Sequence, residues 1–318
     1  MRFGITLGTL LNANEIIKCA KVADNYADLI LIPESWGRDA FVTLGLLSSI
    51  TNKAYIGSGI INIYSRTAAS IAMGASTLDI YSNKRAIIGL GASSKVLVNN
   101  WHGLEFKDNI TRMREYVECI RLILTGEKVN YEGKIVKVRN FRLGFKPLRS
   151  DIPIYIAAIR ERMLRLAKEI GDGLILFLYP KNEVRNVLSD IKRDKFKVLY
   201  VMMTSIADDK DKAIERVKKS IAFYIAVGDI YAKFLAEHGF NEEVESIREE
   251  YNKHGFANIH EYVSQRMLNS LAIYGNAEEC NKQFKEFASL NVIPILHSNP
   301  VNDAENSLRR LLEVIANE

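Results

Sequence analysis

Apolar runs of strand length recur along this chain, each followed by a stretch of helical periodicity, and that alternation restricts the folds open to it. The runs are RFGITL, ADLILIPES, AYIGSGI, RAIIGLG, IPIYIAA, DGLILFL, FKVLYVMMTSI and NVIPILHS. Most are apolar throughout rather than at every second residue, as strands covered on both faces of a parallel sheet are. Between and after them lie helical stretches such as NEIIKCAKVADNY, RTAASIAMGASTLDIYS, KDNITRMREYVECIRLILTGE, ERMLRLAKEI, KNEVRNVLSDIK and DAENSLRRLLEVIAN. Eight such strands alternating with helices predict an α/β fold, a (β/α)8 TIM barrel. A doubly wound open sheet is second choice, because the first strand runs into GITLGTLLN and not into a GxGxxG turn. Two excursions interrupt the alternation. VNYEGKIVKVRNFRLGF predicts a hairpin turning at Glu132 and Gly133, and Asp208 to Leu268 reads as a helical insertion before strand eight, broken at Gly228, Gly239 and Gly255. No internal repeat or low-complexity linker divides the chain, so residues 1–318 read as a single domain.

That fold needs a large core, and 318 residues of which 48% are hydrophobic supply one. No apolar run approaches the roughly eighteen residues of a membrane span, and no charged leader precedes a cleavage site, so a cytoplasmic location without membrane contact is expected. Cys19, Cys119 and Cys280 are odd in number, far apart and without ligand spacing, which argues against a disulfide framework or a zinc site. They read as small buried hydrophobes. The net charge of +5 is spread along helices where Lys and Arg alternate with Asp and Glu, unlike the stripe of a nucleic-acid binder. The chain lacks HExxH, HxH and DxD clusters and a defensible Ser/His/acid order, so metal hydrolysis and serine hydrolysis are both disfavoured and no metal is expected.

In a parallel barrel the functional rim lies at the C-terminal ends of the strands. The stretch Ala54 to Trp101 contributes two of those ends, and both carry glycines. Gly57, Gly59, Gly89 and Gly91 are expected to let backbone approach a flat or phosphorylated ligand. Glu34 closes the second strand beside Ser35 and Trp36. It reads either as a carboxyl whose pKa burial raises toward proton transfer, or as the partner of Arg38 or another cation. Trp36 and Trp101, the only tryptophans, either wall a planar ring or anchor loops. His102 is the best placed titrating base, with a hydrogen-bonded structural role as the alternative, whereas His238, His254 and His260 read as surface residues on helices. Strand eight adds His297 and Ser298 to the rim. At strand five, AAIRERM opens a helix whose free amides suit a phosphate, with Arg160 or Arg162 adding charge; the alternative is a solvated basic first turn. These residues together describe an aromatic, glycine-lined mouth suited to a flat cofactor.

The order PESWGRDAF, GSGIINIYSRTAASIAMGASTLD, SNKRAIIGLGAS, NNWHG, FRLGF, IPIYIAA and EIGDG resembles the bacterial-luciferase-like superfamily of flavin and deazaflavin oxidoreductases. It is most similar to the coenzyme F420-dependent, methylenetetrahydromethanopterin reductase-like branch. The resemblance implies a barrel that holds the deazaflavin across its C-terminal rim, with hydride transferred at C5 to or from an organic substrate, a methylene-tetrahydropterin among the candidates. It also implies a bulge with a non-prolyl cis peptide at the end of strand three, which Gly59-Ile60 matches. Glu34 and His102 are then the expected catalytic pair. Ser35, Trp36, Gly59, Ile60, Asn62, Gly91, Ala92 and Ser93 are the expected cofactor contacts, with Ala158 and Ile159 at the phosphate end. The family further implies a homodimer. Thr6 and Ser94 stand where relatives carry acids, and Arg160-Glu161 where a Gly-Pro is usual. The alternatives are an FMN-dependent monooxygenase on the same rim and a non-catalytic cofactor-binding protein.

Overall fold

The computed structural model describes residues 2–191 and 193–316. Its strands are β1 (Gly4–Thr6), β2 (Leu29–Ile32), β3 (Tyr55–Ser58), β4 (Ile61–Asn62), β5 (Ala86–Gly91), β6 (Val129–Glu132), β7 (Lys137–Phe141), β8 (Ile154–Ala157), β9 (Gly173–Phe177), β10 (Lys197–Ile206), β11 (Ala272–Gly275) and β12 (Ile293–Ser298). Contacts gather into two units, one made of Asp28–Ile175 with Arg193–Val198 and one of the remaining described residues. In the mid-chain unit β2, β3, β5, β8 and β9 pair in that order, all parallel. In the terminal unit the parallel order is β11, β10, β12, β1. The strands β1, β2, β3, β5, β8, β9, β10 and β12 are each followed by helix, which is the (β/α)8 barrel fold that the alternation predicts.

The helices begin where short polar side chains can take up free amides. Asn12 and Glu15 form a capping box before helix Ala13–Tyr26, and Asn276 and Glu279 form another before Ala277–Ala288. Asp39, Thr67 and Asp209 cap helices Ala40–Ile50, Ala68–Tyr81 and Lys210–Val227. The stretch KNEVRNVLSDIK gives a short turn and then helix Val184–Ser189. Lys192 and Asn317, where two expected helices end, lie outside the described residues.

Three local findings refine the reading of the sequence. First, AYIGSGI is not one strand. The ladder runs from Ile56 and Gly57 onto Ala86 and Ile87, stops, and resumes as Ile61 and Asn62 onto Leu90 and Gly91. The interruption is the cis peptide Gly59-Ile60. Across the gap the Ser58 hydroxyl donates to the Gly89 carbonyl and accepts the Gly89 amide, both at 2.9 Å, so a side chain supplies the bonds that the ladder loses. Second, the hairpin β6–β7 forms as predicted, and its turn is held from outside. Glu115, on helix Asn109–Leu124, accepts the amides of Lys134, Ile135 and Val136 at 2.7, 2.8 and 2.8 Å. Burial alone would raise this carboxyl's pKa, and the three amides outweigh it and hold it below the ordinary value. Gly133 leaves the room required, since a Cβ there would come within 2.5 Å of a Glu115 oxygen.

Third, the insertion before the last barrel strand is helical through Leu271 but then contains β11, which the sequence reading does not include. Its four residues Ala-Ile-Tyr-Gly follow a helix directly and pair only with the far half of β10, Met203 to Ile206. Such a strand owes its existence to a partner and not to its own pattern.

Candidate functional site

Parallel neighbours end on the same side of a sheet, so β2, β3, β5 and β8 bring their C-terminal residues to one edge of the mid-chain unit. Every expected catalytic or cofactor residue except His102 and Trp36 lies within three residues of one of those ends or of β4. Backbone contacts join several of them. The Gly59 amide donates to the Ile32 carbonyl at 2.9 Å, the Glu34 amide to the Ile60 carbonyl at 3.2 Å, and the Ile63 amide to the Gly91 carbonyl at 3.1 Å. The bulge therefore sits between Glu34 and Gly91.

The glycines act differently from the reading above. A Cβ at Gly57 would meet the Ile87 carbonyl at 2.6 Å, and one at Gly89 the Ser58 carbonyl at 2.1 Å. At Gly59 it would meet Leu31, and at Gly91 the Ile60 side chain at 2.6 Å. Protein atoms fill all four Cβ places, so these glycines let strands and the bulge pack together. The surface offered beside the bulge is the Ile60 side chain lying over Gly91.

Glu34 is paired, and its partner is Arg66 rather than Arg38. Arg66 donates to Glu34 Oε1 at 2.9 Å and also bonds Asp39, the cap of helix Ala40–Ile50. Burial would lower the Arg66 pKa, but the hydrogen bonds of the two carboxylates reverse the shift and raise it. Asp39 is shifted below its ordinary value: burial opposes this, and the Val42 amide and Arg66 prevail. The other Glu34 oxygen, Oε2, is buried without a hydrogen-bond partner. An orphaned carboxylate oxygen at a strand end is a group that a bound donor would satisfy.

A second layer fixes Arg66. The Tyr116 hydroxyl donates to the Arg66 carbonyl at 2.8 Å, while Tyr64 donates to the Lys107 carbonyl at 2.6 Å and bonds Asn109. Asn62, buried, accepts the Tyr64 amide at 2.9 Å and so shapes the turn that leads to Arg66. Sequence reasoning assigns no role to Arg66, Tyr64 or Tyr116, although the first two lie in the run IINIYSR. Trp36 and Trp101 meet edge to face at 5.7 Å with both rings exposed, which joins the loop after β2 to the turn Leu97–Trp101. His102 follows directly, exposed, its amide bonded to the Leu97 carbonyl. Ser93 holds a left-handed backbone conformation at φ 64°, unusual for a residue with a side chain. Ala158 is buried and donates to the Ile175 carbonyl at 3.2 Å; Ile159 precedes Arg160, where helix Glu161–Ile170 starts without a side-chain cap. The Met163 and Leu164 amides both return to the Arg160 carbonyl, at 3.0 and 2.9 Å.

Among the described residues no group of three or more His, Cys, Asp or Glu side chains is arranged to hold a metal ion, and no helix is long and apolar enough to cross a membrane. The three cysteines are buried and free; burial first, helped at Cys19 and Cys280 by nearby acids, pushes the thiols up to about 12, 11 and 12 at Cys19, Cys119 and Cys280. The half-buried His238 and His260 are less exposed than expected, whereas His254 lies on the surface.

The luciferase-like monooxygenase profile matches residues 1–292. The chain belongs to the luciferase-like monooxygenase family. Within that luciferase-like group, it is 30% identical to the 5,10-methylenetetrahydromethanopterin reductase of Archaeoglobus fulgidus over 97% of both chains. Among solved structures, the coenzyme F420 dependent tetrahydromethanopterin reductase of Methanopyrus kandleri superposes with a TM-score of 0.88 at 28% identity, covering 99% of this chain and 98% of that one. An F420-dependent secondary alcohol dehydrogenase, at 17% identity and a TM-score of 0.74 over 99% of both chains, shares the luciferase-like fold.

Proposed function

We propose that this chain is a coenzyme F420-dependent oxidoreductase, a single luciferase-like domain spanning residues 1–318, that moves a hydride between deazaflavin C5 and an organic substrate. A methylene-tetrahydropterin is the leading substrate class, as the names of the reductase relatives suggest. The observation that carries the reading is Glu34, a strand-end acid held by Arg66 with its other oxygen buried and unpartnered. The residues fit a flat anionic cofactor. Ile60 and Gly59 would back the ring, and Ser35, Trp36, Asn62, Gly91, Ala92 and Ser93 would surround it. Ala158 and Ile159, with the start of helix Glu161–Ile170 beyond, would lie at its phosphate end.

The cofactor, when bound, supplies the hydride chemistry. The protein's part is to orient the reacting faces, exclude water and manage a proton. Glu34, held by Arg66, orients a donor through Oε2, and His102 is the group that gives or takes the proton. The enzyme acts in the cytoplasm as a homodimer. Helices Ala40–Ile50 and Ala68–Tyr81 support the dimer: they pack closely, with Phe41 against the bare backbone of Gly74, and expose Val42, Leu46, Met73 and Tyr81.

Titrating the purified protein with oxidised and reduced F420 and with FMN tests the cofactor. Tight F420 binding with weak FMN binding is expected. Binding of FMN alone, with oxygen consumed when reduced flavin is added, would replace the reading by a flavin monooxygenase. Glu34→Gln and His102→Ala are expected to lower turnover at least tenfold with cofactor affinity retained; turnover unchanged in both would favour a non-catalytic binding protein.

A further inference from the structure

The terminal unit has its own convergence of rings and unpartnered polar groups. Phe177 ends β9, His297 lies one residue before the end of β12, and Tyr224 and Tyr231 come from helices Lys210–Val227 and Asp229–Leu235. Phe177 is the hub, with ring centroids 5.0 Å from Tyr224, 5.7 Å from Tyr231 and 5.7 Å from His297; the two tyrosines are 5.8 Å apart. These are ordinary distances for aromatic pairs, so the rings form one packed wall.

The polar ends of that wall are unusual. His297 is only 8% exposed, yet its imidazole makes no hydrogen bond among the described residues, and neither do the hydroxyls of Tyr224 and Tyr231. Thr6, in register with His297 on the neighbouring strand, has a buried hydroxyl oxygen without a partner. Buried polar groups in a finished core are paired. Of these atoms Thr6 Oγ1 is the one fully buried without a partner, while the Tyr224 and Tyr231 side chains are half-buried. The His297 carbonyl receives Asn299 Nδ2 at 2.7 Å, Asn299 Oδ1 accepts the Ser220 hydroxyl at 2.6 Å, and Arg216 donates to Ser220 at 3.2 Å. Gly8 leaves the imidazole its place, since a Cβ there would come within 3.2 Å of His297 Cε1.

We propose that Phe177, Tyr224, Tyr231 and His297 form a box that takes a planar, nitrogen-bearing ring of the substrate, the imidazole and the two hydroxyls hydrogen-bonding to its edge. The box rests on the oxidoreductase reading only in that it calls this ring the substrate's. Aromatic walls suit a flat ring, and three unpartnered polar ends suit an edge that both donates and accepts. Burial, and then the charge of Arg216, push the His297 pKa down to about 4, so the imidazole is uncharged near neutrality. With Arg216 as the fixed cation nearby, the box should reject a positively charged ring.

Calorimetric titration of the full chain with 6-methylpterin, with and without F420, tests the box. Wild type is expected to bind, and Tyr224→Phe, Tyr231→Phe and His297→Gln to bind about tenfold more weakly each, with F420 affinity unchanged. Trp36→Ala, at the proposed cofactor contact, is expected to weaken F420 binding and leave pterin binding unchanged. Tyr→Phe keeps the rings, so a folding defect in the His297 variant would not decide the matter. Absence of pterin binding to wild type under both conditions, or affinities within twofold of wild type in the two tyrosine variants, overturns the box. Failure of F420 to bind while the box variants still lose pterin would overturn the cofactor reading and leave the box standing.

Discussion

Glu34 gives one oxygen to Arg66 and keeps the other buried and unpaired, which makes Arg66 the residue on which the acid's orientation depends. Arg66→Met would leave Glu34 and Asp39 without their shared cation, and because all three side chains are partly exposed the cost is expected at about 1–3 kcal/mol in urea unfolding. Turnover should fall with it, as in Glu34→Gln. His297 predicts a pH dependence of its own. Its folded-state pKa, about 4, lies below the ordinary 6.5, so between those values the unfolded chain takes up a proton that the folded one refuses. Stability should therefore decline as pH falls from about 6.5 to 4, by up to about 3 kcal/mol, and level off below. Urea midpoints across that range should show the slope in wild type and lack it in His297→Gln. Glu34 is legible in the sequence because an acid ending an apolar strand is rare company. Its partner is not: Arg38 is nearer in sequence, and only the turn through Asn62 and Tyr64 delivers Arg66.

Among the elements, the break between β3 and β4 is the one whose integrity rests on a single hydroxyl. Ser58→Ala would strand a buried amide and a buried carbonyl of Gly89, a loss of about 2–4 kcal/mol, readable as a lower urea midpoint. Gly89→Ala should cost more, because its Cβ would fall on the Ser58 carbonyl, which cannot move without the bulge. The barrel strands can be read from sequence since a run such as LILI or AIIGLG is apolar on both faces, and the helices since caps such as Asn12 with Glu15 mark their starts. β11 escapes that reading because four residues after a helix carry no period, and the roles of Gly57 and Gly89 escape it because what a missing Cβ would strike is a neighbour distant along the chain.

For the molecule as a whole, the proposed dimer is tested at the apolar outer face of helices Ala40–Ile50 and Ala68–Tyr81. Val42 is 75% exposed and Tyr81 69%, more than a lone protein surface usually concentrates on adjoining helices. Sedimentation should give a dimer for wild type and a monomer for the double variant Val42→Glu, Tyr81→Glu; a wild-type monomer would rule out self-association through this face. The hairpin β6–β7 bears on a different question, that of which parts can be exchanged between related barrels. The geometry of its turn is dictated by a carboxylate from outside it, seated where Gly133 has no side chain. Moving residues 129–141 by themselves into another scaffold would carry the loop without its lock. The smallest transferable cassette is helix Asn109–Leu124 together with the hairpin, and Glu115 and Gly133 would have to be exchanged as a pair.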